Sequence, residues 1–98
     1  MNPAASESEW DQLKSALKVG TRVRGVVREH KAFGMFVDVP GVVFDGLVQI
    51  TDVADAHPVS VAEFPEVGSE IEAVVLGFKE HNRQIWLGTK PSQLAGAE

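Results

Sequence analysis

The chain has 98 residues, 44% hydrophobic and 23% charged, with a formal net charge of −5 and no cysteine. A chain of ~100 residues makes one domain with a core of its own. Disulfides, thiolate metal sites and a cysteine nucleophile are excluded, no apolar run approaches the ~20 residues of a membrane span, and residues 1–7 lack the basic and apolar regions of a signal peptide, so a cytoplasmic protein is expected.

The charge is unevenly spread. Residues 40–72 carry seven acids and no lysine or arginine, whereas residues 20–39 sum to +2 and residues 73–98 to +1. This pattern implies a polarised surface, with one solvated acidic side and one side that tolerates anions.

Residues 6–18 read as a short helix. Trp10, Leu13 and Leu17 fall on one stripe, Ser6 and Glu9 fit a capping box, and Gly20 ends the helix. The period then changes to two. Val23, Gly25 and Val27 alternate with Arg22, Arg24 and Val26, giving a strand over residues 21–29. A second strand covers residues 33–39 and ends at the turn signal Pro40-Gly41; a third covers residues 42–50 with a bend at Gly46. Thr51 caps a helical turn over residues 52–55, and residues 56–67, with Pro58 and Pro65, read as a long acidic loop. Residues 70–78 form a fourth strand with Ile71, Ala73 and Val75 on one side. Residues 79–82 turn, residues 83–88 form a fifth strand, and residues 91–98 read as a flexible polar tail.

Five short strands with a helical turn after the third predict an all-β, antiparallel, Greek-key oligonucleotide-binding (OB-fold) barrel, because closing the sheet removes its edges. An SH3-like barrel is the alternative. The expected organisation is a tail and helix over residues 1–18, the barrel over 19–90, and a tail over 91–98.

Several strings resemble one family. Val19-Gly20-Thr21-Arg22-Val23-Arg24-Gly25-Val26-Val27, Phe33-Gly34-Met35-Phe36-Val37-Asp38-Val39, Gly46-Leu47-Val48-Gln49-Ile50-Thr51-Asp52-Val53, Val67-Gly68-Ser69-Glu70-Ile71 with Val75-Leu76, and Asn82-Arg83-Gln84-Ile85-Trp86-Leu87-Gly88-Thr89-Lys90 follow in order. Together they resemble the S-one domain, the RNA-binding module named for ribosomal protein S-one, over about residues 19–90. The resemblance implies the five-stranded barrel and a role in binding single-stranded RNA in translation or RNA metabolism.

It also implies where the binding residues lie. The family's second-strand rings match Phe33 and Phe36. Residues three apart lie on opposite faces of a regular strand, so both reach RNA only if Phe33 precedes the strand or Gly34 sits in a bulge; otherwise one ring belongs to the core. The family's third-strand histidine is Gln49 here, either an RNA contact or a solvent-exposed amide. The family's acid at the end of strand four is Lys79, suited to phosphate, and its arginine before strand five is Gln84, with Arg83 beside it able to help only from within the turn. Trp86 points away from Ile85 and Leu87, either as an added stacking platform or as a ring packed on the helix or a dimer contact. Arg22, Arg24, Arg28 and Lys31 could steer the phosphate backbone; Lys31, beside Phe33, is the better placed, and Arg22 and Arg24 read as solvated outer-face charges. Trp10 reads as the anchor of the helix on the barrel.

No catalytic constellation emerges. His30, His57 and His81 lack metal-ligand spacing, and neither a G-x-S-x-G elbow nor a phosphate-cradling glycine loop is present, so neither an enzyme nor a cofactor is expected. The expected function is low-specificity binding of single-stranded RNA by a monomer, with the ribosome or RNA-processing proteins as further partners. The rival is a protein-interaction module docking through Trp86 or the acidic stretch.

Overall fold

The computed structural model describes residues 7–55 and 60–97. Five strands, β1 (Arg22–Lys31), β2 (Gly34–Asp38), β3 (Gly46–Gln49), β4 (Glu70–Lys79) and β5 (Gln84–Gly88), close into a barrel in the order β1-β2-β3-β5-β4. Four of the pairings are antiparallel, as expected of every pair, but β3 and β5 run parallel, so the sheet is mixed. Short 3-10 turns cover Ile50–Asp52 and Val61–Glu63, and helices α1 (Glu7–Ala16) and α2 (Pro91–Ala95) flank the barrel. Among the described residues no helix is long and apolar enough to cross a membrane.

The alternation read from the sequence puts one side of each strand inside. Val27, Met35, Val37, Val48, Val75, Ile85 and Leu87 are fully buried, and Met35, Val48, Leu87 and Val75 form one inward row from β2 to β4. Two bulges break the period. In β1 the register shifts between Val27 and Glu29, so Glu29 pairs with Phe36 and Lys31 with Gly34. In β4 it shifts between Val75 and Gly77, so Gly77 pairs with Trp86, Phe78 with Ile85 and Lys79 with Gln84. A bulge reverses which side each later residue faces. It turns Phe78 toward the core and Lys79 outward, opposite to unbroken alternation.

Helix α1 is held by the stripe expected of it. Trp10 is 2% exposed and meets Phe44 and Phe78 edge-on, with ring centres 4.9 and 5.7 Å apart. Its indole N–H donates to Glu80 Oε1 (2.8 Å), and Lys14 donates to Glu80 Oε2 (2.7 Å). Leu13 and Leu17 pack on the barrel core. The capping residue Ser6 lies outside the described residues.

Three local expectations are corrected. The third strand starts at Gly46 rather than Val42, where the chain first pairs with Val37 and Ile85. The turn after it spans Ile50–Asp52 and begins after Gln49, without a side-chain cap from Thr51. The C-terminal segment is a helix through Ala95 rather than a tail: Pro91 opens it, Gln93 Oε1 accepts from Lys90 N–H (3.1 Å), Ser92 N–H donates to Asp55 (3.1 Å), and Arg22 donates to Leu94 O (2.8 Å). This polar segment gains order from partners 37 and 72 residues away in the chain.

Candidate nucleic-acid interface

Phe33 immediately precedes β2, so it escapes the alternation that would separate it from Phe36. Both rings lie outside the barrel. Phe33 is 53% exposed, Phe36 is half-buried, and their centres are 6.1 Å apart at 85°. Gly34 permits this arrangement. A Cβ there would come within 2.2 Å of the Val48 carbonyl oxygen, so β2 and β3 approach this closely only at a glycine. Ile50 N–H also donates to Phe33 O (2.8 Å), fixing the entry to the strand.

The outward row continues across the sheet. Phe36 is opposite Leu47, Leu47 opposite Trp86, and Trp86 opposite Gly77. Phe36 and Trp86 are therefore two strand spacings apart, about 10 Å. Each ring has its own cation: Arg28 sits 5.4 Å from the Phe36 centre and Lys79 sits 5.1 Å from that of Trp86. A cation over an exposed ring is worth ~0.5–1 kcal/mol, less than the ~1–3 kcal/mol of a stacked base, so a base can displace it while the cation turns to phosphate.

The two cations are not equally free. Arg28 Nη1 donates to Asp38 (2.6 Å) and Asp45 (2.8 Å), and Asp45 above all holds its guanidinium protonated beyond the ordinary range. Lys31 is paired with Glu29 (2.8 Å), Arg22 and Arg24 with Glu72 (3.0 and 3.2 Å), and Lys14 with Glu80. Among the described residues, five of the nine lysines and arginines are thus in ion pairs, whereas Lys79 has no ion-pair partner there.

Gln49, opposite Gly34, is half-buried and makes a long 3.5 Å contact with Asp52 Oδ2. Trp86 is half-buried and outside the core cluster, and its indole N–H donates to the same Asp52 oxygen at 2.9 Å. The structure thus gathers Phe33, Phe36, Gln49, Trp86 and Lys79 on one face, with Lys31 at its β1 edge. Arg83 lies apart. It sits in the β4–β5 turn at φ 53°, where its charge acts on Glu80 below α1. Arg22 and Arg24 face outward on the β1–β4 side with Glu72, as solvated charges.

One participant was missed. Asp52 was read only as part of a turn; the signal available was an acid in the segment following the third strand. Arg28, read as a cation that could steer phosphate, reaches Phe36 through the β1 bulge, which has no sequence signature. Of the histidines, His30 contacts Pro65 O (2.7 Å) and Phe64 edge-on, His81 is exposed in a turn, and His57 lies outside the described residues. No group of three metal-ligating side chains occurs among the described residues. A pocket of about 260 Å³ between α1 and the β2–β3 connection, lined by Leu13, Val43 and Phe44 among others, contains none of the candidate residues.

A small closed barrel carrying paired aromatic rings and cations on its outer face defines a nucleic-acid-binding module of the OB type. The family model of the S1 RNA binding domain matches residues 16–90. The chain belongs to that family. Small ribosomal subunit protein bS1 of Neisseria meningitidis is 39% identical over 82 residues, and that of Pseudomonas aeruginosa is 37% identical over 87. These matches cover 84% and 89% of this chain but only 14% and 15% of those proteins. Among solved structures, GSP13 from Bacillus subtilis shares the fold with a TM-score of 0.68 at 30% identity, covering 79% of this chain and 58% of that one. The alpha subunit of aIF2 from Pyrococcus abyssi has a TM-score of 0.66 at 17% identity, over 76% of this chain and 29% of that one, a likeness of fold alone.

Proposed function

We propose that the chain binds single-stranded RNA with low sequence preference, by stacking bases on Phe33 and Phe36 and meeting phosphates with nearby cations, as a cytoplasmic, monomeric, non-catalytic module in translation or RNA metabolism. One observation carries this reading: two aromatic rings stand perpendicular and in contact on the barrel's outside, one of them more than half exposed. A hydrophobic ring left in water at the end of a strand gains nothing for the fold, whereas every nucleobase offers it a flat partner. Membership in an RNA-binding family supports the choice of RNA. Titration with oligouridylate, followed by amide chemical shifts, tests it. Shifts centred on Phe33, Phe36 and Gln49 are expected, weakening with salt at a slope of about −0.7 per phosphate contacted. No response at high micromolar RNA and low salt defeats the proposal.

A protein-interaction role is favoured by one observation, the neutralisation of most cations by neighbouring carboxylates. Pull-down from nuclease-treated extract separates the two. A partner retained without RNA and indifferent to Phe36→Ala supports the protein module.

A further inference from the structure

We propose that Trp86 and Lys79 form a second base-binding subsite, distinct from the phenylalanine pair, and that Asp52 is the residue that positions it. The proposal rests on the RNA-binding reading and adds where a neighbouring nucleotide of the same strand is taken.

The indole of Trp86 is held at both ends. Its benzo edge lies over Gly77: a Cβ added there would stand 3.1 Å from Cε3 and 3.7 Å from Cζ3. Its N–H is bound to Asp52 Oδ2 at 2.9 Å. Asp52 is itself 8% exposed and fixed from the other side, since Gln93 of α2 donates to Oδ1 at 3.1 Å. Gln93 reaches that position because Gly88 has no side chain; a Cβ there would come within 2.2 Å of Gln93 Oε1. Thr89 N–H donates to Asp52 O (2.9 Å) and Thr89 Oγ1 to Val53 O (2.8 Å), so the chain entering α2 is stitched to the turn that carries Asp52.

A ring so constrained is preorganised for a flat ligand, because little freedom remains to be lost on binding. It is half-buried rather than in the core, and the group over it is the ammonium of Lys79, which has no carboxylate partner among the described residues. Phosphate can therefore take Lys79 while a base takes the ring. Two strand spacings, about 10 Å, separate the backbone positions of Phe36 and Trp86, so with bases on both phenylalanines the ligand that also reaches the indole is an unpaired strand of at least three nucleotides lying across β2, β3 and β5.

The test compares hexauridylate with diuridylate on the full chain. Trp10 is buried, so RNA-induced change in tryptophan emission reports Trp86. Hexauridylate is expected to change that emission, and Trp86→Ala to reduce the ratio of hexamer to dimer affinity about tenfold. Lys79→Ala should flatten the salt slope for the hexamer by about 0.7. Asp52→Asn should lower the ratio and shift the emission maximum, whereas a merely structural Asp52 would lower the melting temperature and leave the ratio at its wild-type value, overturning the positioning role. Binding of both oligomers with a ratio indifferent to Trp86→Ala overturns the second subsite and leaves the first standing. Binding of neither overturns both.

Discussion

Arg28 holds its guanidinium 5.4 Å from the centre of the Phe36 ring while donating from one nitrogen to both Asp38 and Asp45. The cation nearest the phenylalanine pair is thus committed to two carboxylates that any phosphate must outcompete. An exposed ion pair contributes little to stability, so this arrangement restrains binding more than it supports the fold. The double variant Asp38→Asn with Asp45→Asn is expected to raise affinity for oligouridylate a few-fold at low salt and to steepen the salt slope by about 0.7, as Arg28 becomes free for phosphate. An unchanged slope in a titration series would show that Arg28 stays off the backbone.

The two phenylalanines should separate binding from stability. Phe33→Ala and Phe36→Ala are each expected to cost about 1–3 kcal/mol in RNA affinity. Their effects should not add, because the rings touch. Phe33→Ala should leave unfolding free energy within ~0.5 kcal/mol, since its ring is largely in water. Urea denaturation beside RNA titration checks both; a Phe33 variant that unfolds readily would assign the ring to the fold.

Gly34→Ala tests the close approach that brings the phenylalanines together. The new methyl would strike the Val48 carbonyl, backbone that cannot rotate away. An expected loss of about 1–3 kcal/mol follows from overpacking against that backbone. A loss below ~0.5 kcal/mol would mean that β2 and β3 part easily there.

Trp10 should be the chief link between α1 and the barrel. Truncating a fully buried tryptophan costs about 3–5 kcal/mol, so Trp10→Ala should lower the urea midpoint strongly while the RNA-induced shifts of the remaining folded protein keep their positions. A midpoint near wild type would make α1 an appendage.

The same junction sets a pH dependence. Lys14 first, then the Trp10 N–H, hold the Glu80 carboxyl below its ordinary 4.5, and Glu80 holds the Lys14 ammonium above its ordinary 10.5. A depressed acid stabilises above its unfolded value and ceases to as pH falls through the folded one; a raised base stabilises below its unfolded value and ceases to as pH rises through the folded one. The contact is therefore fully present between about 4.5 and 10.5 and fades at both extremes. Glu80→Gln should flatten the acid limb of a melting-temperature profile and the Lys14 part of the alkaline one. An unaltered acid limb would show that the other depressed carboxyls carry it instead: Glu72, which Arg22 first and Arg24 next hold low, and Glu29, which Lys31 holds low.

Much of this was legible in the linear chain because it depends on local chemistry. Alternation marked the inner residues of β1 and β4 up to their bulges and Ile85 and Leu87 of β5, the Trp10–Leu13–Leu17 stripe marked the buried side of α1, and Pro40-Gly41 marked the end of β2. The phenylalanine pair was legible as two alternatives, which the starting point of one strand resolved. Hidden were the two bulges, since an extra residue in a strand depends on its partner, and the order of α2, whose bonds to Asp52, Asp55 and Arg22 span 37 to 72 residues.

The sequence by itself determined that residues 22–88 would pair as a small closed barrel, since period-two apolarity and turn residues act over a few positions. Tertiary structure alone decided which polar residues meet the rings. The β1 bulge carries Arg28 to Phe36 and the β4 bulge turns Lys79 onto Trp86, because register is a property of two strands together. Asp52 acquires its role in the same way, at a point where two distant segments, β5 and α2, bring donors to one buried carboxylate.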